Sequence, residues 1–293
     1  MILVIGGSGQ LAQSLQKAGG DCVEAAGRPG TDLLDTDSLF DTFDRIRPDA
    51  VVNTAAYTAV DQAETEALTA QAINNEGAGR LAAICRAKDI PLIHISTDFV
   101  FDGQTGAPYR ESDATNPINE YGKSKLDGER AVRAANQDAL ILRTAWVHSP
   151  FGANFTKTMM GLLRSREDIK VVDDQFGSPT YAPHLASGVL ALVDKVLASG
   201  DPDEKLFHLA GAGHASRLEW VTEIADVLTA KGHPAARIMP TSSDSFPTPA
   251  RRPPDTRLDC SLIDEAFGIA LPDWRDGVRA CVTALLDDEG GRS

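Results

Sequence analysis

Short apolar runs alternate along this chain with longer stretches in which apolar residues recur every three or four positions. Ile2-Leu-Val-Ile5 is a β-branched run that ends at glycine, the pattern of a strand buried on both faces. Residues 21–25, 49–53, 92–95, 139–143 and 206–209 read the same way, with a shorter run at Val171-Val172. Helical periodicity lies between them, from Leu11 to Ala18, over 38–46, 60–87 and 122–135, and again over 182–197. In 38–46, Leu39, Phe40, Phe43 and Ile46 form one apolar stripe. Strands alternating with helices predict an α/β fold, a doubly wound parallel sheet of the Rossmann type.

After Trp146 the texture changes. A helix begins near Asn154-Phe155, another covers about 218–230, and a proline-rich segment, 247–254, precedes two short helices. The expected organisation is a first domain over 1–150, which also takes back about 170–210, and a smaller C-terminal domain over 151–293.

Composition narrows the classes. Hydrophobic residues make up 42% of the 293 and charged residues 24%, ordinary for a globular protein. The net charge of −14 argues against nucleic acid and anionic membrane as partners. No apolar run is long enough to span a bilayer, and the start lacks the basic flank of a signal peptide. A cytoplasmic protein is expected. Cys22, Cys85, Cys260 and Cys281 are scattered; neither a disulfide framework nor a metal site is expected of them.

Candidate chemistry sits at the ends of the predicted strands. Gly6-Gly-Ser-Gly9-Gln10-Leu11-Ala12 follows the first strand and opens a helix. Glycines let the backbone approach a phosphate, and a helix N-terminus supplies free N–H groups and partial positive charge. Arg28 lies near the tip of the second strand, where an arginine suits a 2′-phosphate and an acid suits a ribose hydroxyl. This leans towards NADPH, while Glu24 keeps NADH open. Ser96-Thr97-Asp98 ends the fourth strand, where ligands of such sheets bind. Tyr121 and Lys125 are four residues apart and share a helix face. A nearby ammonium is expected to lower the tyrosine pKa and let it exchange a proton with a substrate oxygen. Arg251, Arg252 and Arg257 cluster in an otherwise acidic chain, as a diphosphate site would require.

Taken together, four segments resemble the extended short-chain dehydrogenases and, within them, the dTDP-4-dehydrorhamnose reductase family. They are Gly6-x-x-Gly9-Gln10-Leu11, Asn53-Thr-Ala-Ala-Tyr-Thr-Ala-Val-Asp61, Ser96-Thr-Asp-Phe-Val-Phe-Asp-Gly103 and Tyr121-Gly-Lys-Ser-Lys125-Leu-Asp-Gly-Glu129. Arg143-Thr-Ala-Trp146, Asn154-Phe155, Asp174-Gln-Phe-Gly-Ser-Pro-Thr180 and Arg252-Pro-Pro-Asp-Thr-Arg-Leu258 are similar too. The resemblance implies NADPH or NADH as cofactor on an NAD(P)-binding Rossmann domain over 1–150, and a sugar nucleotide as substrate on the smaller C-terminal substrate domain over 151–293. Gly6, Gly9, Gln10, Leu11, Arg28, Asp32, Leu33, Ala55, Ala56 and Tyr57 would then line the cofactor. Tyr121, Lys125 and Thr97 would be catalytic, Tyr121 and Lys125 also meeting the cofactor. Thr97, Asp98, Trp146, Asn154, Arg252 and Arg257 would face the substrate. Ala12 stands where the family usually has Gly, and Thr256 where it usually has Ser. A homodimer and a bound Mg²⁺ are both compatible with the family, though no residue pattern argues for either.

Two other functions share this motif set. One is a related sugar-nucleotide epimerase or dehydratase. Thr97-Asp98-Phe99 lacks the Asp-Glu pair of the dehydratases. The other is a non-catalytic NADP-binding subunit like the regulatory subunit of methionine adenosyltransferase.

Overall fold

The structure, a computed structural model, describes residues 1–199 and 203–290. Its centre is a six-stranded sheet in which every neighbouring pair is parallel. The strands are β1 (Ile2–Ile5), β2 (Val23–Ala26), β3 (Ala50–Asn53), β4 (Leu92–Thr97), β5 (Leu140–Thr144) and, after four intervening short strands, β10 (Leu206–His208). Their spatial order is β10-β5-β4-β3-β1-β2. The chain steps from β1 outward to β2 and then returns to the other side of β1 with β3, so the switch point lies between β1 and β3. A crevice beyond the carboxyl ends of the strands follows from that topology.

Strand alternation divides the core. Ile2, Val4, Val23, Val52, Ile93 and Leu142 face helices α1 (Gln10–Gly19) and α8 (Ala182–Ser199), packing on Leu11, Leu15, Leu185, Val189 and Leu192. Leu3, Ile5, Val51, Leu92 and Ile141 face the opposite layer, which is built from α2 (Thr36–Ile46), α5 (Ala78–Ala87) and α6 (Glu120–Ala135). Asp35 caps α2, accepting hydrogen bonds from the backbone of Asp37 and Ser38, and Asn119 caps α6 through the N–H of Gly122.

A second apolar cluster serves the later part of the chain. It joins α7 (Phe155–Ser165), α9 (Arg217–Ala230) and α11 (Trp274–Gly290) through Met160, Leu163, Trp220, Ile224, Trp274 and Val278. Small strands edge this region: β6 (Val147–His148) pairs with β9 (Thr180–Tyr181), β8 (Phe176–Gly177) with β11 (Ala215–Ser216), and β7 (Asp168–Val172) with β12 (Arg237–Thr241). Helix α10 (Ser261–Phe267) lies against β10.

Two expectations change. The predicted helix 60–87 is interrupted, giving α3 (Val60–Ala63), α4 (Ala67–Gln71), a π-helical turn (Ala72–Gly77) and then α5. The turn places the buried Asn74 amide where it accepts from Tyr57 N (2.7 Å) and donates to Tyr57 O (3.0 Å) and Ser124 Oγ (2.9 Å). These polar demands, invisible to periodicity, compete with the regular helix ladder. The last helix, α11, is 17 residues long rather than short. The two-residue strands carry no readable alternation at all.

One buried ion pair fixes α6 against the sheet. Glu129 accepts two hydrogen bonds from Arg143 on β5, at 2.8 and 2.7 Å, and one from Ser96 Oγ on β4 at 2.6 Å. Their side chains are 3% and 7% exposed, so each charge relies on the other rather than on water. We expect Glu129→Ala, which strands the Arg143 guanidinium, to cost about 3–5 kcal/mol. Urea denaturation checks this, and a loss below about 1 kcal/mol, the range of surface pairs, would contradict it.

Candidate functional site

The crevice begins at β1. Gly6 has a φ of +125°, and a Cβ there would stand 2.5 Å from Thr54 Oγ1 and 2.9 Å from Ala55 N. Only glycine allows this turn to lie against the β3 loop. Gly9 is the N-cap of α1 and brings no side chain to the cap. The first N–H groups of α1, at Gln10, Leu11 and Ala12, have no partner within the helix. This backbone cradle fits a dinucleotide pyrophosphate. Ala12 is fully buried against the sheet, where its small size suffices for close packing.

Ala55, Ala56 and Tyr57 form the adjoining wall after β3, held by the Asn74 contacts, with Tyr57 Oη donating to Glu66 at 2.9 Å. Asp32 and Leu33 lie before α2; Asp32 accepts from Leu34 N and Leu33 is buried. Arg28 is exposed just past β2. Glu24 lies within β2 and is engaged by Arg45 of α2 at 2.5 Å. The acid that left cofactor choice open is therefore occupied away from the strand tip.

Tyr121 is the second residue of α6, and its ring meets Phe99 edge-on at 5.6 Å. The glycine after it is required by proximity: a Cβ on Gly122 would lie 2.2 Å from Phe99 O. The Tyr121 hydroxyl hydrogen-bonds with Thr97, and burial pushes its pKa up to about 12, with the Asp98 charge adding to the rise. Thr97 Oγ1 donates to Asp98 Oδ1 at 3.0 Å, and Thr256 Oγ1 to Asp98 Oδ2 at 2.5 Å. Asp98 is 2% exposed, and burial raises its carboxyl pKa to about 6 against the pull of those hydrogen bonds and of Arg217.

The expected electrostatic link between Lys125 and Tyr121 takes a different form. Lys125 Nζ donates to Ile95 O at 2.8 Å on β4. Burial lowers its pKa to about 8, opposed by the charge of Glu129 one turn further along α6. Thr97, not Lys125, is what pulls the Tyr121 pKa down, and burial together with the Asp98 charge outweighs it. The hydroxyl faces Thr97 and a carboxylate, so the neutral phenol is the form the site favours at pH 7.

Trp146 forms the far wall. Its φ of +44° is left-handed, a costly conformation for a bulky residue. A Cβ on Gly177 would meet the indole at 2.3 Å, so Gly177 makes room for the ring. The indole is stacked against Trp220 at 5.5 Å and carries the Arg217 guanidinium at 3.6 Å. Asn154 caps α7 through Lys157 N, and its Nδ2 donates to Gln10 Oε1 (3.0 Å) and Ser149 O (2.7 Å). It thus joins this wall to the glycine turn.

Two of the three clustered arginines are engaged by carboxylates. Arg252 donates to both oxygens of Asp61, at 3.0 and 2.7 Å, and Arg257 to both of Asp255, at 2.8 and 2.6 Å. Sequence reasoning passed over Asn74, hidden in a supposedly regular helix. It also passed over Arg217, whose only signal is a cation at the first position of a helix, where the helix dipole disfavours it.

Comparison with known proteins places nearly the whole chain among related sequences and folds. Residues 1–286 match the family described as the RmlD substrate binding domain. The dTDP-4-dehydrorhamnose reductase of Sinorhizobium fredii is 40% identical over 291 residues, covering 97% of each chain. That of Burkholderia thailandensis is 41% identical over 300 residues, covering 97% of this chain and 99% of its own. Among solved structures, a Clostridium acetobutylicum dTDP-4-dehydrorhamnose reductase superposes with a TM-score of 0.89 at 33% identity, covering 97% and 99% of the two chains. A Bacillus anthracis counterpart in complex with NADP gives 0.87 at 30% identity, covering 97% and 98%.

The buried Asp98 carboxyl makes stability depend on pH. Its folded pKa, about 6, exceeds the ordinary 3.8, so the folded chain holds this proton more tightly than the unfolded one. Its contribution is full below the ordinary value and is lost as pH rises through about 6. Asp98→Asn should therefore gain on the wild type between about pH 4 and pH 7 in denaturation experiments. A constant difference across that window would refute the assignment.

Proposed function

The chain belongs to the dTDP-4-dehydrorhamnose reductase family, and from that premise we propose that Tyr121 is the proton donor in reducing the C4 carbonyl of dTDP-4-dehydro-L-rhamnose to dTDP-L-rhamnose. The enzyme is an oxidoreductase dependent on NADPH or NADH, and the bound nicotinamide supplies the hydride. The observation that carries the residue assignment is the hydroxyl pair of Tyr121 and Thr97 at the carboxyl end of β4, one strand from the switch point.

As the carbonyl carbon gains the hydride, charge develops on its oxygen. Tyr121 transfers its proton to that oxygen and recovers one from solvent afterwards. The raised Tyr121 pKa keeps the proton in place until the oxygen becomes strongly basic. Thr97 holds the phenol in position and donates a second hydrogen bond to the developing charge when it turns from Asp98. Lys125 supplies positive charge below the sheet end and ties α6 to β4.

Gly6, Gly9, Gln10, Leu11, Asp32, Leu33, Ala55, Ala56 and Tyr57 hold the cofactor along the β1–β3 crevice, and Arg28 takes the 2′-phosphate. Residues 1–150, with the return through α8 and β10, form the cofactor half; 151–293 otherwise form the sugar-nucleotide half. The packing of α8 on α1 and the place of β10 in the sheet support this division.

Tyr121→Phe should lower kcat and kcat/KM together by about 10²–10⁴-fold, because the proton moves only in the transition state. NADPH oxidation with the sugar nucleotide measures it, and NADPH binding should persist. Turnover within a few-fold of wild type would favour a non-catalytic binding subunit instead. Arg28→Ala should weaken NADPH selectively; an equal loss for NADH in titrations would remove Arg28 from the 2′-phosphate.

A further inference from the structure

Arg217 is the first residue of α9, and its backbone N–H donates to Gln175 O at 3.1 Å. Its guanidinium stacks on Trp146 at 3.6 Å and lies 4.7 Å from the Phe155 ring centre and 5.4 Å from that of Trp220. Three aromatic rings thus surround the guanidinium. Its N–H edge makes no hydrogen bond or ion pair with any described residue. Nor are those nitrogens sealed in the interior: Arg143 Nη1 is buried without a partner, whereas no nitrogen of Arg217 is.

The charges around it are uneven. Asp98 attracts Arg217 from a distance, but the carboxylate oxygens of Asp98 are hydrogen-bonded to Thr97 and Thr256. Arg252 repels Arg217, which places two cations towards one volume while Asp61 holds the donors of Arg252. Removal from water lowers the Arg217 pKa to about 9. A rigid guanidinium with an open donor edge, no carboxylate partner and a second cation nearby lacks one thing, a multivalent oxyanion.

We infer that Arg217 binds the diphosphate of the sugar nucleotide, with its N–H edge on the phosphate oxygens and its face on Trp146. This deepens the function proposed above and rests on it for the identity of the nucleotide. It adds to Arg252 and Arg257, which Asp61 and Asp255 engage, an arginine outside their cluster. The aromatic stack does for Arg217 what a carboxylate does for the other two, holding it in place, but leaves its donors available.

Calorimetric titration of the full chain with dTDP and with thymidine, for wild type, Arg217→Met and Arg217→Lys, tests the inference. Arg217→Met should weaken dTDP by about 10- to 100-fold, the scale of lost charge-assisted hydrogen bonds. Thymidine should bind all three proteins equally. Arg217→Lys should fall between, because it keeps the charge and loses the planar fork. Unchanged dTDP affinity in Arg217→Met overturns the inference, and so does an equal loss for dTDP and thymidine, which would reduce Arg217 to a support for Trp146. NADPH titration of the same variants reports whether the crevice is intact. If Arg217→Met also loses NADPH, Arg217→Lys decides by the same dTDP-to-thymidine ratio. Wild-type turnover of the sugar nucleotide alongside an insensitive Arg217 defeats this inference alone. A wild type that neither turns it over nor binds dTDP defeats the function as well.

Discussion

Glu129 sits in a place where a carboxylate survives only if its surroundings replace water. Arg143 and Ser96 do so from two adjacent strands, with three hydrogen bonds onto one side chain. The consequence is positional. Glu129 lies two helical turns from Tyr121 and one from Lys125, so the clamp that satisfies it also sets the depth and rotation of α6 on the sheet. A surface ion pair would not have this effect, since water competes with it and two long side chains remain free to move. The Asn74 amide adds a second constraint from the opposite side, tying the Tyr57 loop to Ser124 on the same helix.

With α6 fixed, the site separates its charges. Lys125 is directed at a strand carbonyl and loses basicity through burial, while Tyr121 is directed at Thr97 and loses acidity through burial. Their spacing along the helix suggested that they would perturb one another. The sheet came between the expected partners by offering the ammonium a carbonyl of its own. A phenol that keeps its proton until a strong base forms beside it is suited to reduction, in which an alkoxide is generated and quenched.

The wall around Trp146 follows similar reasoning. Trp146 accepts an unfavourable backbone conformation because Gly177 leaves room for its ring and Trp220 and Arg217 pack on its faces. The acidic chain neutralises most of its arginines in place, and Arg252 and Arg257 are examples. In such a protein, the cation held by rings rather than by carboxylates stands apart.

Local chemistry along the chain determined the sheet, the glycine turn and the helix carrying Tyr121 and Lys125, because β-branched runs, turn glycines and three-to-four periodicity act over a few residues. The family motifs placed Thr97, Asp98 and Trp146 at strand ends for the same reason. Tertiary structure alone decided which charges meet. Arg252 is paired with a residue 191 positions away, Asp98 with one 158 away, and neither separation leaves a trace in local pattern. It also decided the break in the 60–87 helix, where the buried Asn74 side chain outweighed a regular backbone ladder, and the partner of Lys125. Arg217 reads in sequence as an ordinary first residue of a helix. Only the convergence of Trp146, Phe155 and Trp220 from three separate segments gathers rings around its guanidinium.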